Sequence, residues 1–292
     1  MALDKKTFRT RTLTAIVFAA VMLLGLFWNF KTFFILFSIV HFGCWFEYLK
    51  IIEKIYNTKI DIVVKYFFAI CGFTLIIVLG VDAYPADFMF TQYKISGKLI
   101  LWIFEIVGLG IWMLQNKIIT AKAKWMSFGG LIYIALPLAL LINLRDQFTF
   151  NEGNVINTGL IFSCAIIFSI WINDTMAYIV GSFIGKTPFS KISPKKTWEG
   201  TAGGAILCVV VIAILGTVIP AAKTIAVHHW IFIAAICAVF GTLGDLLESK
   251  LKRNANIKDS GNFMPGHGGF LDRFDSLLLA APAVWVYVRL FL

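Results

Sequence analysis

The longest polar stretch of the chain is SKLKRNANIKDSGNFMPGHGGFLDRFDS, residues 249–276, and it lies between two apolar runs. Asp272 and Asp275 stand three residues apart in it, as do Asp245 and Glu248 just before it. This spacing places both carboxylates of a pair on one helical face. Carboxylates suit Mg²⁺, which is commonly bound together with substrate phosphates, and Lys and Arg suit the phosphates themselves. The pattern indicates a site for a metal and a phosphorylated ligand; the alternative is a set of ion pairs that join two helix ends.

A second polar cluster is GKTPFSKISPKKTWEG, residues 185–200. It offers Ser193, Lys195, Lys196 and Thr197 in a short loop ahead of an apolar run. Hydroxyl and ammonium groups of this kind can hold phosphate oxygens. An orientation signal in a solvated loop accounts for the segment equally well, so both interpretations stay open.

Two polar residues, Asn173 and Asp174, lie inside the apolar run 158–184. A carboxylate at that depth is costly, so it faces the interior of a helix bundle or a water-filled cavity. The alternative is a structural partner for a buried Lys. Glu47 and Glu105 also lie in apolar runs, but they have no polar neighbours in the sequence and are not assigned to a site.

The composition belongs to a membrane protein. Of 292 residues, 59% are hydrophobic and only 14% are charged, whereas soluble domains carry roughly 25% charged residues. Apolar runs of about 20 residues recur along the chain, which is typical of transmembrane helices. The five cysteines all lie in apolar runs without a CxxC pair, so neither a disulfide framework nor a zinc site is expected.

We therefore predict an all-α, polytopic integral membrane protein with about nine transmembrane helices. Residues 1–150 would form an N-terminal region of five spans, and residues 151–292 a catalytic region of four spans with cytoplasmic loops 185–200 and 248–275. Both regions would belong to one membrane unit. The predicted spans are 12–29, 32–50, 62–80, 98–115, 126–143, 158–184, 201–220, 229–247 and 275–291.

The distribution of basic residues predicts the orientation. The formal net charge is +10, and with a cytoplasmic N-terminus 20 of the 26 Lys and Arg residues fall in segments on the inside. This asymmetry is what the positive-inside rule requires of nine spans with the C-terminus outside. Basic residues between apolar runs thus indicate orientation, and no nucleic-acid partner is expected. A bacterial cytoplasmic membrane with an active site facing the cytoplasm is the expected location.

The polar stretch resembles the signature of the phosphatidate cytidylyltransferases, or CDP-diacylglycerol synthases. The resemblance is specific over residues 170–275 and includes SPKKTWEG and NDTMAY. Met264 replaces the Leu, Ile or Phe that is usual in the signature. The matching residues are Ser249, Leu251, Lys252, Arg253, Lys258, Asp259, Gly261, Pro265, His267, Gly268, Gly269, Asp272, Arg273 and Asp275.

The resemblance implies a Mg²⁺-dependent reaction of CTP with phosphatidic acid that yields CDP-diacylglycerol and pyrophosphate, with or without a second cation. It implies Asp245 and Asp272 as metal ligands, with Asp275 close by. Lys258 and His267 join these three in the expected catalytic set. His267 is expected to contact phosphate or to donate a structural hydrogen bond, because a phosphate nucleophile is already anionic at neutral pH.

The remaining site residues are expected to bind the substrates. CTP, phosphatidic acid and membrane lipids are the expected partners, and a homodimer stays open. A CTP-dependent lipid-alcohol (polyprenol) kinase is the main alternative function, and a transporter is a weaker one. The expected substrate-binding residues are Ser193, Lys195, Lys196, Thr197, Lys252, Arg253, Arg273, Asn173 and Asp174.

Overall fold

A computed structural model gives the fold, and it describes residues 5–81, 103, 105–110, 112, 120–147, 149–151, 154–266 and 268–292. Eight long helices account for most of this part of the chain. A short antiparallel hairpin, Thr149–Asn151 with Asn154–Ile156, and a 3₁₀ turn at Pro220–Ala222 complete it. The helices are α1 (Lys5–Phe27), α2 (Phe30–Tyr56), α3 (Ile62–Gly80), α4 (Ala121–Arg145), α5 (Thr158–Ile184), α6 (Trp198–Val218), α7 (Val227–Asn254) and α8 (Leu271–Phe291).

Seven helices, α2 to α8, are long and apolar enough to cross a membrane, while the apolar part of α1, Thr12–Phe27, is shorter. Their outer faces expose large apolar side chains such as Val63, Ile206 and Val218. Exposed apolar surface on a bundle of such helices meets lipid, and helices satisfy their own backbone polar groups there. The prediction of an all-α, polytopic membrane protein is confirmed. The predicted span 98–115 lies largely outside the described residues.

Several helices extend beyond the predicted spans, because the apolar run ends before the helix does. Helix α7 continues through Lys252 and Arg253 to Asn254, although hydropathy ended its span at residue 247. The acidic residues Asp245 and Glu248 therefore lie inside α7, nine and six residues before its end. Helix α8 likewise begins at residue 271 rather than 275, so Asp272 is in its first turn.

Small residues allow α5 to approach α6 closely, and α7 to approach α8. A Cβ atom at Gly200 of α6 would lie 2.7 Å from the carbonyl oxygen of Ala177 and 2.9 Å from the Cα of Gly181, both on α5. One at Gly244 of α7 would collide with the backbone carbonyl of Asp275 on α8. Backbones thus meet without side chains between them, which is how small residues act in membrane helix packing.

Helix α4 packs against both α3 and α8 and so connects early and late segments of the chain. Its segment Leu131–Ala135 is a π-helical turn. Pro137 has no N–H to donate to the carbonyl of Tyr133 four residues earlier, and such a missing bond is a common cause of irregular helix geometry.

Two loops border the cavity that α5, α7 and α8 enclose: the first cavity loop, residues 185–197, and the second cavity loop, residues 255–270.

Candidate active site

A polar cavity of about 730 Å³ opens between α5, the first cavity loop, α7 and α8. Carboxylates, ammonium groups and hydroxyls from segments far apart in sequence meet at its wall. Eleven of the residues that the sequence predicts for the site lie there, and Asp259 joins them. They are Asn173, Asp174, Ser193, Lys195, Lys196, Thr197, Asp245, Lys252, Asp272, Arg273 and Asp275.

Helix α5 contributes Asn173 and Asp174 from the middle of its length. The Nδ2 of Asn173 donates to Oδ1 of Asp174 over 3.5 Å, and Asn173 is buried. The Oδ1 of Asn173 has no hydrogen-bond partner within the described part of the chain. Asp174 makes no ion pair with a described residue, so the structure does not pair it with a buried Lys.

The first cavity loop is held by the helix that follows it. Thr197 caps α6 by accepting a hydrogen bond from the Gly200 N–H over 3.1 Å. The carboxylate of Glu199, in the first turn of α6, accepts from the backbone N–H groups of Lys186 and Thr187 over 3.2 Å each. A helix N-terminus favours a carboxylate at this position. The loop therefore folds back on its own helix and presents residues 193–197 to the cavity.

The first cavity loop contacts α7 across the cavity wall through Lys196. Its ammonium group forms an ion pair with Asp245 of α7. Lys195, its neighbour, lines the same cavity and makes no ion pair with a described residue. Lys196 is therefore engaged by a carboxylate, while Lys195 is available for an anionic ligand.

Three carboxylates from two helices gather at the α7–α8 contact. One oxygen each of Asp245, Glu248 and Asp275 lie within 4.8 Å of one another. Glu248 is completely buried and forms an ion pair with Lys252, yet neither of its oxygens accepts a well-directed hydrogen bond from the described residues. Buried carboxylates are normally paired or bound to metal. This cluster therefore has acceptor capacity that the protein leaves unused.

Asp272 has a different environment from these three carboxylates. Its Oδ1 accepts from Lys252 Nζ over 2.5 Å. Its Oδ2 accepts from the N–H of Ser260 over 2.9 Å, from the Ser260 hydroxyl over 2.9 Å and from the N–H of Gly269 over 2.7 Å. Asp272 thus ties the second cavity loop to the start of α8, and its assignment as a metal ligand stays a prediction.

The turn before α8 requires glycine. Gly266 and Gly268 have φ angles of 79° and 87°, which side chains rarely adopt and glycine adopts freely. A Cβ atom at Gly268 would also collide with the carboxylate of Asp272. The N–H of Met264 donates to the Gly268 carbonyl over 2.9 Å and closes the turn. His267, predicted for the site, lies outside the described residues.

Two predicted basic residues do not line the cavity. Lys258 is exposed on the second cavity loop. Arg253 is exposed at the end of α7, where its guanidinium donates to the Ile257 carbonyl over 3.0 Å. The roles of Lys258 and Arg253 in binding or catalysis stay predictions. To contact a substrate, these side chains would have to reach it from outside the cavity wall.

Sequence reasoning missed Glu47. This residue lies on α2, is buried, and accepts hydrogen bonds from the second cavity loop and the start of α8. Its neighbours in sequence are apolar, and its partners follow more than 200 residues later. Only information that links residues far apart in the sequence could have identified Glu47.

The donor atoms of the three-carboxylate cluster fit a hard cation. Mg²⁺ prefers oxygen ligands and is commonly held by one or two carboxylates with substrate phosphates. Asp245, Glu248 and Asp275 offer only oxygen and lie close together, and Asp245 and Asp275 line a cavity with room for a ligand. The cluster therefore fits a divalent cation that binds with a phosphorylated substrate.

The fold and the cavity together define an integral membrane enzyme whose site combines carboxylates with Lys and Arg. Comparison with known proteins then gives the family. The sequence matches the profile of the cytidylyltransferase family over residues 9–291, nearly the whole chain. The chain belongs to this family and is a nucleotidyltransferase, as the sequence resemblance predicted.

The curated relatives carry a more specific name. Phosphatidate cytidylyltransferase of Bacillus subtilis (strain 168) is 33% identical over 225 residues, 75% of this chain and 79% of the relative. The proteins of the same name from Synechocystis sp. and Rickettsia bellii are 41% and 40% identical over 142 and 172 residues. These matches cover 46% and 56% of this chain, and 45% and 69% of the relatives.

Proposed function

We propose that this protein is a phosphatidate cytidylyltransferase of phospholipid biosynthesis, which converts CTP and phosphatidic acid into CDP-diacylglycerol and pyrophosphate. The observation that carries the proposal is the meeting of four cations, Lys195, Lys196, Lys252 and Arg273, with an acidic cluster at one cavity in a membrane helix bundle. Such a site can neutralise a nucleoside triphosphate and a lipid phosphate together. The name of the relatives supports the same reaction.

In this reaction an oxygen of the phosphatidate phosphate attacks the α-phosphorus of CTP. A new P–O bond joins lipid phosphate and cytidylate, the α–β phosphoanhydride bond breaks, and pyrophosphate leaves with the electron pair. The nucleophile needs no general base because it is already anionic. Positioning and electrostatic stabilisation of the phosphates would supply most of the catalysis.

We assign Mg²⁺ to the cluster of Asp245, Glu248 and Asp275, where it would neutralise charge on the triphosphate when bound. Glu248 enters this set from its position beside the other two carboxylates. Asp272, which the resemblance implies as a ligand, accepts hydrogen bonds on both of its oxygens and would first have to release Lys252 or the Ser260 and Gly269 amides. In the alternative that we favour, Asp272 orients Lys252 toward the phosphates.

Four cations at the cavity wall are suited to the phosphates. Lys195 and Arg273 make no ion pair with described residues, whereas Lys196 and Lys252 each contact carboxylates. We place the triphosphate near Lys195 and Lys196 of the first cavity loop. Arg253, Lys258 and His267 keep the roles that the resemblance implies, as additional contacts to the phosphates.

An apolar cleft beside the cavity suits the lipid substrate. It has a volume of about 120 Å³ and lies between α1, α2, the second cavity loop and α8. Arg273 lines both the cleft and the polar cavity. A lipid whose phosphate faces Arg273 could therefore place an acyl chain against apolar side chains such as Phe18, Leu36 and Phe263.

For the topology, we propose nine spans with a cytoplasmic N-terminus, an external C-terminus and an active site that faces the cytoplasm of a bacterial cell. The 20-to-6 asymmetry of basic residues supports this arrangement. In a cysteine-free background, Asn254→Cys should react with an impermeant thiol reagent only after permeabilisation, and Lys223→Cys should react in intact cells. Equal labelling of both from outside would contradict the orientation.

The reaction is tested with CTP labelled at either the α- or the γ-phosphorus. Purified protein, phosphatidic acid and Mg²⁺ should transfer α-label to the lipid phase, and γ-label should leave as pyrophosphate. Diacylglycerol or a polyprenol should accept no label, since neither supplies an anionic phosphate. Label from the γ-phosphorus in the lipid would instead identify a lipid-alcohol kinase. Transfer of neither label by folded, CTP-binding protein would favour a transporter.

A further inference from the structure

We propose that Glu47 is a positioning residue of the active site, which fixes the start of α8 and the second cavity loop from helix α2. The neighbours of Glu47 in the sequence are apolar and do not suggest this role. The family signature does not include Glu47 either. The proposal rests on hydrogen bonds between α2 and the segment from Ser260 to Leu271.

Glu47 replaces a missing helix cap. The first backbone N–H groups of a helix have no partner within the helix. Helix α8 has no capping side chain at Phe270, the residue before its first turn. Glu47 accepts instead from the N–H of Phe270 over 3.0 Å and from the N–H of Leu271 over 2.9 Å. A carboxylate at this end is also favoured by the helix dipole.

The same carboxylate is connected to Asp272 through Ser260. The Ser260 hydroxyl lies 2.6 Å from Oε2 of Glu47 and 2.9 Å from Oδ2 of Asp272. Because the hydroxyl has one proton for two carboxylates, its position depends on both. Asp272 in turn holds Lys252 over 2.5 Å. A continuous chain of contacts thus runs from α2 to a cation at the cavity wall.

The surroundings of Glu47 leave little freedom. Cβ atoms at Gly261 and Gly269 would collide with its carboxylate oxygens, and the residue is only 7% exposed. It makes no ion pair with a Lys or Arg of the described chain. Its charge is therefore matched by hydrogen-bond donors of the site, and its loss would release the turn that carries Asp272.

The test compares Glu47→Gln with Glu53→Gln. Glu53 is a matched control on the same helix, because it also accepts from a backbone N–H, that of Ile60 over 2.7 Å, and pairs with Lys65 over 2.8 Å. We measure kcat and KM for CTP by transfer of α-label, which rests on the proposed function, and amide hydrogen exchange at the start of α8 without substrates.

Glu47→Gln should lower kcat about 10- to 100-fold, a range typical for residues that orient a site from behind its ligands. It should also speed exchange at the Phe270 and Leu271 amides. Glu53→Gln should leave kcat and these amides within about twofold of the unchanged protein, whatever it does to thermal stability. Two outcomes would leave Glu47 with a general structural role only. In the first, Glu47→Gln also keeps kcat and the amide exchange near those of the unchanged protein. In the second, Glu53→Gln loses as much kcat as Glu47→Gln.

Ser260→Ala provides a second test that does not depend on the folding of the Glu47 variant. It removes the bridging hydroxyl alone, so kcat should fall in the same direction but less. An unchanged kcat and unchanged exchange would overturn the proposal. If unmodified protein transfers no α-label, the proposed function fails, and amide exchange in Glu47→Gln still decides whether this residue positions α8.

Discussion

The two loops that border the cavity are anchored in different ways. The first cavity loop is fixed locally, since Glu199 binds backbone amides only 12 and 13 residues before it. The second cavity loop is fixed by Glu47, which precedes Ser260 by 213 residues. Both anchors are carboxylates that accept from backbone N–H groups, so the chemistry is the same and only the distance along the chain differs. A local anchor can hold one loop, whereas a distant anchor makes the loop depend on the whole bundle.

The largest expected effects come from the carboxylates on which the two loops converge. Asp245→Asn removes the partner of Lys196 from the first loop, and Asp272→Asn removes the partner of Lys252 near the second. Each should lower kcat by at least about 10²- to 10³-fold, as loss of a preorganised electrostatic group usually does. The assay is transfer of α-label from CTP at saturating and low Mg²⁺.

Asp61→Asn is the control for this pair, because Asp61 caps α3 by accepting from the Val63 N–H over 2.8 Å. It should leave turnover unchanged. Near-normal activity of folded Asp245→Asn and Asp272→Asn proteins would mean that these carboxylates are structural.

A smaller effect is expected at the local anchor. Glu199→Gln weakens the hold on the first cavity loop, but Thr197 and the backbone hydrogen bonds of the loop remain. KM for CTP should rise about two- to tenfold, and kcat should stay nearly unchanged. In free energy, this rise in KM corresponds to the loss of about one hydrogen bond. A loss of kcat as large as that of Glu47→Gln would erase the distinction between local and distant anchoring.

The smallest effect is expected on the outer side of the second cavity loop. Phe263 stacks on Phe270 with ring centroids 3.9 Å apart and lines the apolar cleft. Phe263→Ala should raise KM about two- to fivefold for long-chain phosphatidic acid, in line with the loss of one aromatic contact. KM for a short-chain analogue and for CTP should stay the same.

Phe183→Ala is the matched control, since Phe183 is 83% exposed and belongs to neither the cavity nor the cleft. An equal rise in KM for both variants would show a general effect on lipid contact and would remove the support for the cleft as the acyl-chain site.

Local patterns in the sequence predict much of this molecule. Apolar runs predicted the membrane helices, and one span, 158–184, has the same bounds as α5. The local pattern around Ser193–Thr197 left a phosphate site and a solvated loop equally open, and the segment lies at the cavity wall. These features depend on residues that are neighbours along the chain, so composition and spacing are sufficient to find them.

Other features depend on packing between distant segments and could not be predicted in this way. Hydropathy cannot show that α7 continues for seven residues past its apolar part, which places Glu248 inside a helix beside Asp275. It also cannot show that Glu47 has polar partners, because those partners come together only when α2 packs beside the second cavity loop. The family resemblance likewise implied Asp272 as a metal ligand without showing that Lys252 and Ser260 occupy its oxygens.

The long separation between Glu47 and Ser260 also has a consequence for biosynthesis. At about 5–20 residues per second, roughly 10–40 s pass between synthesis of the two residues. During that time the carboxylate of α2 has none of its final partners, so we infer that it stays in contact with water at the membrane surface and that docking of the second cavity loop is a late step of assembly. The native thiol of Cys44 lies one helical turn before Glu47 and is buried in the complete protein. With the other four cysteines replaced, it should therefore react in nascent chains that end before residue 260 and be protected in the complete protein.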